Sequence, residues 1–463
     1  YLAGNYYHDY SGLDANDDGI GDTIYSIAGG NNIDYLPLSY GQIYVDDNAP
    51  AEWYDEYHVR TIQEGINNAT STRTTVYIWN GTYTENVTLN KSITLDANSS
   101  SILDLQGSHS STNCSGINIT ANNTVVQDLT VKNCSLGIHV YNSSFMLRNV
   151  TLTNLTVYNC SNVGMCVDNT TFCNISYCNV TESGVHGITF AAFDYYDSTS
   201  SHCSYCNVSH SSIKGRGTTS SNRACIYVTN SSHIEIYDNT IYNSSDWGIE
   251  FENTNISNNI TSNTIYNNSD KGIYIENSHH NNISSNTIFN NTNDGINIED
   301  SSNNTVFKNS IYNNSNGTIL DSSENNTIYH NNFYNNTIDN ASDNSENNNS
   351  WYNDTINEGN YWGDYGGLDT DGDGIGETPY NVSKINEVYN NDTYPLTNTF
   401  DEYYILTLTN VPSSVTETNS FTVTVKTQGG TTVEGATVTI QGDSDTTDSD
   451  GEVTLTAPSV SSD

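Results

Sequence analysis

Residues 263–285 read NTIYNNSDKGIYIENSHHNNISS, and residues 286–308 read NTIFNNTNDGINIEDSSNNTVFK, the same pattern one period later. The Asn-x-Ile segment that opens each copy starts at positions 239, 263, 286 and 309, at spacings of 24, 23 and 23 residues. Short alternating runs of apolar and polar residues, separated by Asn, Ser and Gly turns, are typical of strands. Several short strands in each period of about 23 residues predict the coils of a parallel β-helix, an all-β fold.

The repeat also predicts what each coil contains. Every coil would pair its backbone with the coils above and below at about 4.8 Å, so that equivalent residues stack. The opening asparagines would then form an internal ladder of amide side chains: Asn239, Asn263, Asn286 and Asn309. About a dozen coils fit between residues 76 and 340, which gives a rod of roughly 55–60 Å.

A cap is expected ahead of the coils. The stretch from His58 to Ala69 is the best amphipathic helical segment of the chain, with Val59, Ile62 and Ile66 on one face. A short helix here would cover the open end of the solenoid and prevent edge-to-edge aggregation.

A short acidic module occurs twice, at Gly4–Asp22 and at Gly359–Glu377. Each copy places oxygen-bearing side chains at alternate positions, then a Gly, then another carboxylate, as in loops that wrap Ca²⁺. We predict two Ca²⁺ sites, in which each Ile supplies its carbonyl: Asp14, Asn16, Asp18, Ile20 and Asp22 in the first, and Asp369, Asp371, Asp373, Ile375 and Glu377 in the second. Tyr25 and Tyr380 stand at the twelfth position, so neither loop is a true EF-hand; a solvated acidic turn is the alternative.

Composition excludes several classes of partner. The chain has 12 Lys and Arg against 54 Asp and Glu, a formal net charge of −42. Nucleic acid needs a basic surface, and an anionic membrane repels so acidic a chain, so neither is an expected partner. No apolar run of about 18 residues occurs, so no membrane span is expected.

Glycosylation sequons are dense, as in an exported, extracellular or cell-surface glycoprotein. We expect covalently attached glycans on one recurring turn, just after the Asn-x-Ile segment, and at further sequons elsewhere in the chain. The candidate acceptors are Asn86, Asn118, Asn243, Asn267, Asn290, Asn313, Asn335 and Asn381.

The nine cysteines leave at least one thiol unpaired within the chain. In an exported protein we expect disulfides, since Cys173, Cys178, Cys203 and Cys206 fall at similar places in successive coils. Zinc held by Cys203 and Cys206, with His202 and His210, is the alternative. The disulfide candidates are Cys114, Cys134, Cys160, Cys166, Cys173, Cys178, Cys203, Cys206 and Cys225.

Several motifs together carry a family resemblance: Ile43–Asp47, Ile62–Ile66, Asn80–Val87, Ser92–Leu95 and, after the Asn-rich coils, Asn360–Tyr365. They resemble the NosD-like right-handed parallel β-helix surface proteins (PbH1 repeats) that are abundant in archaea. The resemblance covers roughly residues 40–400 and implies a pectate-lyase-like fold and export. It fixes no activity, because β-helices serve as lyases, adhesins and structural rods.

Residues 401–463 have a different pattern. Alternating strands there resemble an immunoglobulin-like β-sandwich of the invasin or carboxypeptidase-regulatory type, but four or five strands are too few for a complete domain. We therefore divide the chain into an acidic module (1–40), a cap (41–75), β-helix coils (76–345), a second acidic module (346–400) and an incomplete sandwich (401–463).

Three classes of function remain. A structural subunit of a cell-surface filament, sheath or S-layer-like assembly, braced by calcium, is favoured, and the chain is not expected to be an enzyme. A carbohydrate-binding or adhesive module is the first alternative, since tyrosines stack on sugar rings. A polysaccharide lyase-like enzyme is the second. Its active site would lie in the irregular segment from Ala191 to Arg223, which contains Asp194, Asp197, Lys214 and Arg216.

Assembly follows from the chain ends as they stand in the sequence. The first acidic module has no coils before it, and the sandwich ends with strands missing. An open sandwich edge is costly unless another chain covers it. We expect head-to-tail self-association that does not close, which makes a fibre. The alternative is that the chain continues beyond either end of this sequence.

Overall fold

The computed structural model describes residues 23–27, 33–35, 42–55, 57–71, 74–106, 114–191, 202–216, 223–254, 256–345, 348–382, 390–400, 406–412, 414–427, 432–440 and 443–458. Nearly all the regular structure in this part of the chain is β. The described helices are a 3-10 turn, Ala51–Trp53, and one α-helix, Ile62–Asn68 (α1). Neither has the length and apolar character that a membrane crossing needs.

Three long sheets, whose paired strands run parallel, account for most of the chain, and successive coils add strands to each. Sheet 1 has 11 strands: Val87–Leu89, Ser115–Ile119, Leu136–Val140, Val163–Val167, Ile188–Phe190, Ala224–Thr229, Trp247–Glu252, Ile273–Glu276, Asp294–Glu299, Asn316–Asp321 and Asp339–Asp343. Sheet 2 has 14: Gln42–Val45, His58–Val59, Thr75–Ile78, Thr94–Ala97, Thr124–Gln127, Leu147–Thr153, Thr170–Ser176, Cys203–Ser204, Asn207–Ser209, Glu235–Tyr237, Asn259–Thr261, Asn282–Ser284, Thr305–Phe307 and Thr327–Tyr329. Sheet 3 has 12: Thr82–Tyr83, Ile102–Asp104, Thr130–Lys132, Thr156–Tyr158, Asn179–Thr181, Ser212–Lys214, Thr240–Tyr242, Thr264–Tyr266, Thr287–Phe289, Ser310–Tyr312, Asn332–Tyr334 and Tyr361–Trp362.

The parallel β-helix predicted from the repeat is therefore confirmed. Twelve rungs in sheet 3, spaced by about 4.8 Å, make the coiled region roughly 53 Å long. The core is built by stacking identical residues: Ile241, Ile265 and Ile288 face one another in register and are fully buried. Each Ile thus covers the next, and the inner face of every strand leaves water.

The amide ladder is also confirmed, and it is longer than predicted. Asn239 donates from Nδ2 to Asn263 Oδ1 over 3.0 Å, and the same contact repeats through Asn286, Asn309 and Asn331 to Asn360. Three further ladders run beside it. One amide ladder joins Asn258, Asn281, Asn304, Asn326 and Asn349. A second amide ladder joins Asn268, Asn291, Asn314 and Asn336, and a ladder of serine hydroxyls joins Ser278, Ser301, Ser323 and Ser345. Buried turns thereby satisfy their polar groups with one another.

At one end of the rod, α1 covers the core as predicted, but it is shorter than the predicted amphipathic stretch. Val59 lies in a strand paired with Val45, and the helix begins only at Ile62. Thr61 caps it in a reciprocal pair with Glu64, the arrangement that fixes a helix start. Ile62 and Ile66 are fully buried against the coils.

At the other end, the second acidic module closes the core. Asn360 is the last rung of the amide ladder, and Trp362, 1% exposed, stacks on Phe333 at 4.7 Å. Tyr380 stacks on the opposite face of Trp362 at 4.2 Å, and the buried Asp392 accepts the indole N–H over 2.8 Å. The Asn-Tyr-Trp segment thus ends the ladder and covers the last coil.

Antiparallel pairs lie outside the helix. Two small pairs are Tyr25–Ser26 with Ile33–Asp34 and Tyr380–Asn381 with Asn391–Asp392. In the C-terminal region a three-stranded sheet (Leu406–Thr409, Ser420–Thr427 and Glu452–Thr456) accompanies the hairpin of Thr437–Ile440 and Asp443–Thr446. The strands predicted there are present in outline, while the immunoglobulin-like assignment stays a prediction.

Candidate functional site

The acidic loop of the second module forms a tight oxygen-lined turn. Carboxylate oxygens of Asp369, Asp371 and Asp373 lie within 4.8 Å of one another. The Asp369 carboxylate accepts the backbone N–H of Gly372 over 2.7 Å and that of Gly374 over 2.9 Å. Both glycines have φ between +80° and +87°, a conformation in which a Cβ would be strained. The turn can form because glycine occupies both positions.

The charges of this loop repel one another. Burial, together with Asp371, Asp369 and Glu377, raises the pKa of Asp373. Glu377 accepts hydrogen bonds from Thr370, which lower its pKa, so it holds the far side of the turn as an anion. A bound cation would relieve the repulsion among the three aspartates. The residues of the first copy (Asp14, Asn16, Asp18, Ile20 and Asp22) lie outside the described residues.

The repeated sequon asparagines form a column on the outside of the rod. Asn267, Asn290, Asn313 and Asn335 are exposed and Asn243 is half-buried, one per coil, each in the left-handed backbone region that Asn tolerates. The middle residue of four of these sequons belongs to an amide ladder: Asn268, Asn291 and Asn314 are buried, and Asn336 is half-buried. The turn therefore presents one Asn outward and holds the next inward. Among the other acceptors, Asn86 and Asn381 are exposed, and Asn118 is half-buried in sheet 1.

A column of aromatic rings runs immediately beside the sequons. Tyr242, Tyr266, Phe289, Tyr312 and Tyr334 stack with centroids 4.8–5.2 Å apart and planes within 7° of parallel. Because each ring covers the faces of its neighbours, the column offers ring edges to solvent. Sugar rings stack on aromatic faces, so this column does not favour the adhesive alternative.

A basic hollow lies near the segment in which the sequence placed a possible active site. It has a volume of about 510 Å³, and its lining includes Lys214, Arg216, Glu182, Asn243 and Asn267. Two cations converge here in a chain that has 12 in all, so the hollow would attract an anionic group. Asp194 and Asp197 lie outside the described residues. Arg223 does not line the hollow; its backbone N–H donates to Asp246 over 3.1 Å.

The outer face of sheet 1 holds a column of carboxylates that the sequence analysis missed. Glu252, Glu276, Glu299 and Asp321 follow one another in register on four adjacent coils. Tyr274 donates to Glu299 over 2.8 Å, which is one means of stabilising the anion. The signal was present in the sequence, since the same short strand ends in an acid in each of these coils.

Glu250, beside this column, is 6% exposed. Burial, and then the charges of Glu252 and Glu276, raise its pKa to about 9, so the group stays protonated at neutral pH. Lys271 lies over the Tyr274 ring at 4.1 Å and pairs with Asp270, which offsets part of the negative charge. The negative charge of this face is therefore reduced by the protonated Glu250 carboxyl and by the Lys271 ammonium.

All nine cysteines are buried and are free thiols in this structure. The closest pair is Cys134 and Cys160, whose Sγ atoms lie 3.3 Å apart on neighbouring coils. Burial raises the pKa of Cys178 to about 11 and that of Cys206 to about 12, which keeps both thiols protonated and slow to react. The expected disulfides stay a prediction.

The cysteines differ from the sequence-based expectation in two respects. Cys173 and Cys206 do stack, since the Cys173 N–H donates to Cys206 Sγ, but Cys178 lies opposite Ser211 and Cys203 opposite Thr170. Inserted residues between these coils shift the spacing. Nor are Cys203 and Cys206 gathered with His202 and His210 into a metal-ligand group in the described residues.

The fold defines the chain as a parallel β-helix protein with capped ends and ladder-filled turns. The model of a family described as periplasmic copper-binding protein (NosD) matches residues 194–367, somewhat more than a third of the chain. A comparison with curated protein sequences gives no significant match.

Solved structures of similar fold include proteins of several kinds. The Dettilon tailspike protein is 14% identical with a TM-score of 0.51, over 67% of each chain. The A-module of mannuronan C-5 epimerase AlgE4 from Azotobacter vinelandii is 15% identical with a TM-score of 0.47, over 65% of this chain and 85% of its own. PfbA, a surface adhesin of Streptococcus pneumoniae, is 14% identical with a TM-score of 0.40, over 59% of this chain and 85% of its own. At such identities the likeness concerns the fold alone.

Among the described residues of the matched segment, no three His, Cys, Asp or Glu side chains come together as ligands for the copper that the family description names. The described residues hold two groups of His, Cys, Asp or Glu able to bind a metal, and both lie outside 194–367: one in the Asp369 loop and one on the coils of residues 139–168. We therefore derive no copper chemistry for the matched coils.

Proposed function

We propose that this chain is a structural extracellular glycoprotein, a stiff rod that serves as a subunit of a cell-surface filament, sheath or S-layer-like assembly. The observation that carries the proposal is the set of buried ladders. A rod whose later coils, from Asn239 to Asn360, are joined by amide contacts, such as Asn263 to Asn286 at 3.0 Å, resists bending and local opening. Stiffness of that kind suits a protein with a structural role.

The caps support the same function. At one end α1 is held by Glu85, whose carboxylate accepts the N–H groups of Ile62 and Gln63 over 2.8 and 3.0 Å. At the other end Trp362 of the second module is buried between Phe333 of the last coils and Tyr380. Because both ends of the core are covered, other chains cannot stack on open coils, and assembly depends on specific contacts between subunits.

Calcium is proposed as the brace of the second module, bound by Asp369, Asp371, Asp373, the Ile375 carbonyl and Glu377. The loop is tied to the rod because Ile375 bridges to the buried Leu396 and Gly376 donates to the Pro395 carbonyl over 2.8 Å. A cation here would fix the cover over the last coil.

Glycans and self-association complete the proposal. The outward sequon column offers acceptors one coil apart, and glycans on it would keep one edge of the rod hydrated and exposed. The subunits would associate head to tail through a contact that does not close into a ring, so that its repetition makes a fibre.

A second candidate rests on the basic hollow. Lys214 and Arg216, beside Glu182, would bind a carboxylate or sulfate group of an acidic polysaccharide. In a lyase-like enzyme one of the two would hold that group, and the other, in its uncharged form, would take the neighbouring sugar proton as base. Binding of an acidic oligosaccharide that is lost in Lys214→Gln, together with release of unsaturated sugar ends, would establish this function over the structural one.

Immunogold labelling of intact source cells tests the structural proposal. We expect labelling of the outer surface at regular positions, which is lost after protease treatment of whole cells. Labelling confined to the cell interior, or scattered soluble protein in the medium alone, would contradict it.

A further inference from the structure

A second group of side chains that can bind a metal lies in the first half of the rod, on the face of sheet 1 that points away from the core of the coils. His139 and Cys166 are in register on neighbouring coils, and Asp168 follows Cys166 by two residues. Their exposed fractions are 8%, 0% and 1%, so the group is closed off from solvent. The ligand atoms of all three lie within 4.8 Å of one another.

One carboxylate oxygen joins the group. Asp168 Oδ2 lies 3.2 Å from His139 Nε2 and accepts the Cys166 thiol over 3.1 Å. Tyr141 stacks on the His139 ring at 5.5 Å with the planes 6° apart, which fixes the direction of the imidazole. An oriented imidazole, a thiol and a carboxylate thus converge from three sides.

A fourth polar group points to something further in the cluster. Thr189 follows Cys166 in register on the next coil and is fully buried. Its Oγ1 has no hydrogen-bond partner among the described residues. A buried hydroxyl without a partner is costly, and a metal ion or metal-bound water beside it would supply one.

We infer that His139, Cys166 and Asp168 bind one divalent ion of the zinc type, with Thr189 at the fourth side. Imidazole and thiolate are ligands of borderline transition-metal ions, whereas Ca²⁺ takes oxygens alone. Binding would convert the Cys166 thiol to the thiolate and release its proton to solvent. The site is separate from the Asp369 loop in both position and ligand chemistry.

The distances suit such an ion. In a tetrahedral site with zinc bonds of about 2.0–2.3 Å, imidazole and carboxylate ligand atoms stand about 3.4 Å apart, and thiolate and carboxylate atoms about 3.6 Å. The observed separations of 3.2 and 3.1 Å need to open by only a few tenths of an ångström. Buried His, Cys and Asp side chains on a rigid sheet are therefore already placed for binding.

The test uses cobalt, which takes the same ligands and shows a thiolate-to-metal absorption band in the near ultraviolet. The full chain is produced in cobalt-supplemented medium, so that the ion is present while the buried site folds, and is kept reduced during purification. We expect about one tightly held Co²⁺ per chain with the thiolate band, which oxygen-only binding at the Asp369 loop cannot give.

Variants assign the band to this site. Cys166→Ser should abolish it, whereas Cys178→Ser, a matched substitution of another buried thiol, should retain it. His139→Ala should weaken Co²⁺ binding at least about tenfold, as expected when a ligand is lost. Absence of the band in the wild-type chain overturns the inference even if a variant does not fold, and so does a band that persists in Cys166→Ser or is unaffected by His139→Ala.

Discussion

Asn263 donates from Nδ2 to Asn286 Oδ1 over 3.0 Å, one coil further along the rod, and the same oxygen accepts the backbone N–H of Asn263 over 2.9 Å. A single amide oxygen thus satisfies two buried donors of the coil before it. Repetition of this contact from coil to coil is what turns an Asn-rich, weakly apolar sequence into a continuous interior.

Removal of one rung should be expensive. Asn286→Ala leaves the backbone N–H of Asn263 without its acceptor and removes the Asn286 side-chain donations to the Ile260 carbonyl and to Asn309, so we expect a loss of about 2–5 kcal/mol in the free energy of unfolding. Urea denaturation followed by circular dichroism measures it. Asn282→Thr, a change on the same coil to the residue type of its neighbour Thr305, is the control and should cost far less. Equal effects of the two variants would refute the importance of the ladder.

Calcium removal should loosen the second module. With the affinity typical of extracellular modules, a Kd of about 10⁻⁴ to 10⁻³ M, 10 mM Ca²⁺ would stabilise the chain by about 1.4–2.7 kcal/mol. Chelation should therefore lower the Tm, and Asp371→Ala should abolish the response to Ca²⁺. Asp371 is preferred to Asp369 because the latter also holds the loop by accepting two backbone N–H groups. A Tm that is the same in Ca²⁺ and in excess chelator would count against the site.

Glycans should occupy the outward column and spare the ladder. We expect mass spectrometry of the native protein to find modification at Asn267, Asn290 or Asn313, which are exposed, and none at the buried Asn263 and Asn286. Neighbouring acceptors about 4.8 Å apart crowd bulky sugars, so adjacent sites should be incompletely occupied. A column free of modification throughout would be inconsistent with this prediction.

Stability should fall as the pH rises, because of Glu250. Its pKa in the folded chain, about 9, lies above the ordinary value of 4.5, so between these values the unfolded chain loses the proton while the folded chain keeps it. The stabilisation is complete below about pH 4.5 and declines until about pH 9, by at most about 1.4 kcal/mol per pH unit. Urea midpoints at pH 5 and pH 8 measure the decline.

The matched variants for this pH effect are Glu250→Gln and Glu235→Gln. Gln resembles the protonated acid, so Glu250→Gln should flatten the decline between pH 5 and pH 8. Glu235 is exposed on sheet 2, and its substitution should leave the decline unchanged. The same decline in wild type and in Glu250→Gln would show that another group is responsible.

Residues that repeat at a constant spacing could be predicted from the sequence; residues brought together by irregular coils could not. The ladder of Asn239, Asn263 and Asn286 follows from a period of 23 or 24 residues. His139 and Cys166 are 27 residues apart, because that coil has a longer turn, so the period gives no signal that they meet.

The cap and the acidic column show two further limits. Val59 has the helical spacing of Ile62 and Ile66, but its pairing with Val45 outweighs that pattern and the helix starts later. The carboxylate column that includes Glu252 recurs with a clear period. The chain has so many other acidic residues, however, that only the pairing of the strands shows which of them stack. Tertiary pairing therefore decided what local pattern left open.

The most direct test of the central claim, that this rod serves a structural role outside the cell, is an electron micrograph of the native material. The account predicts fibres, a sheath or a lattice whose repeating unit contains a rod of roughly 53 Å, the length of twelve stacked coils. Single dispersed particles, with no repeating contact at any concentration or calcium level, would contradict it.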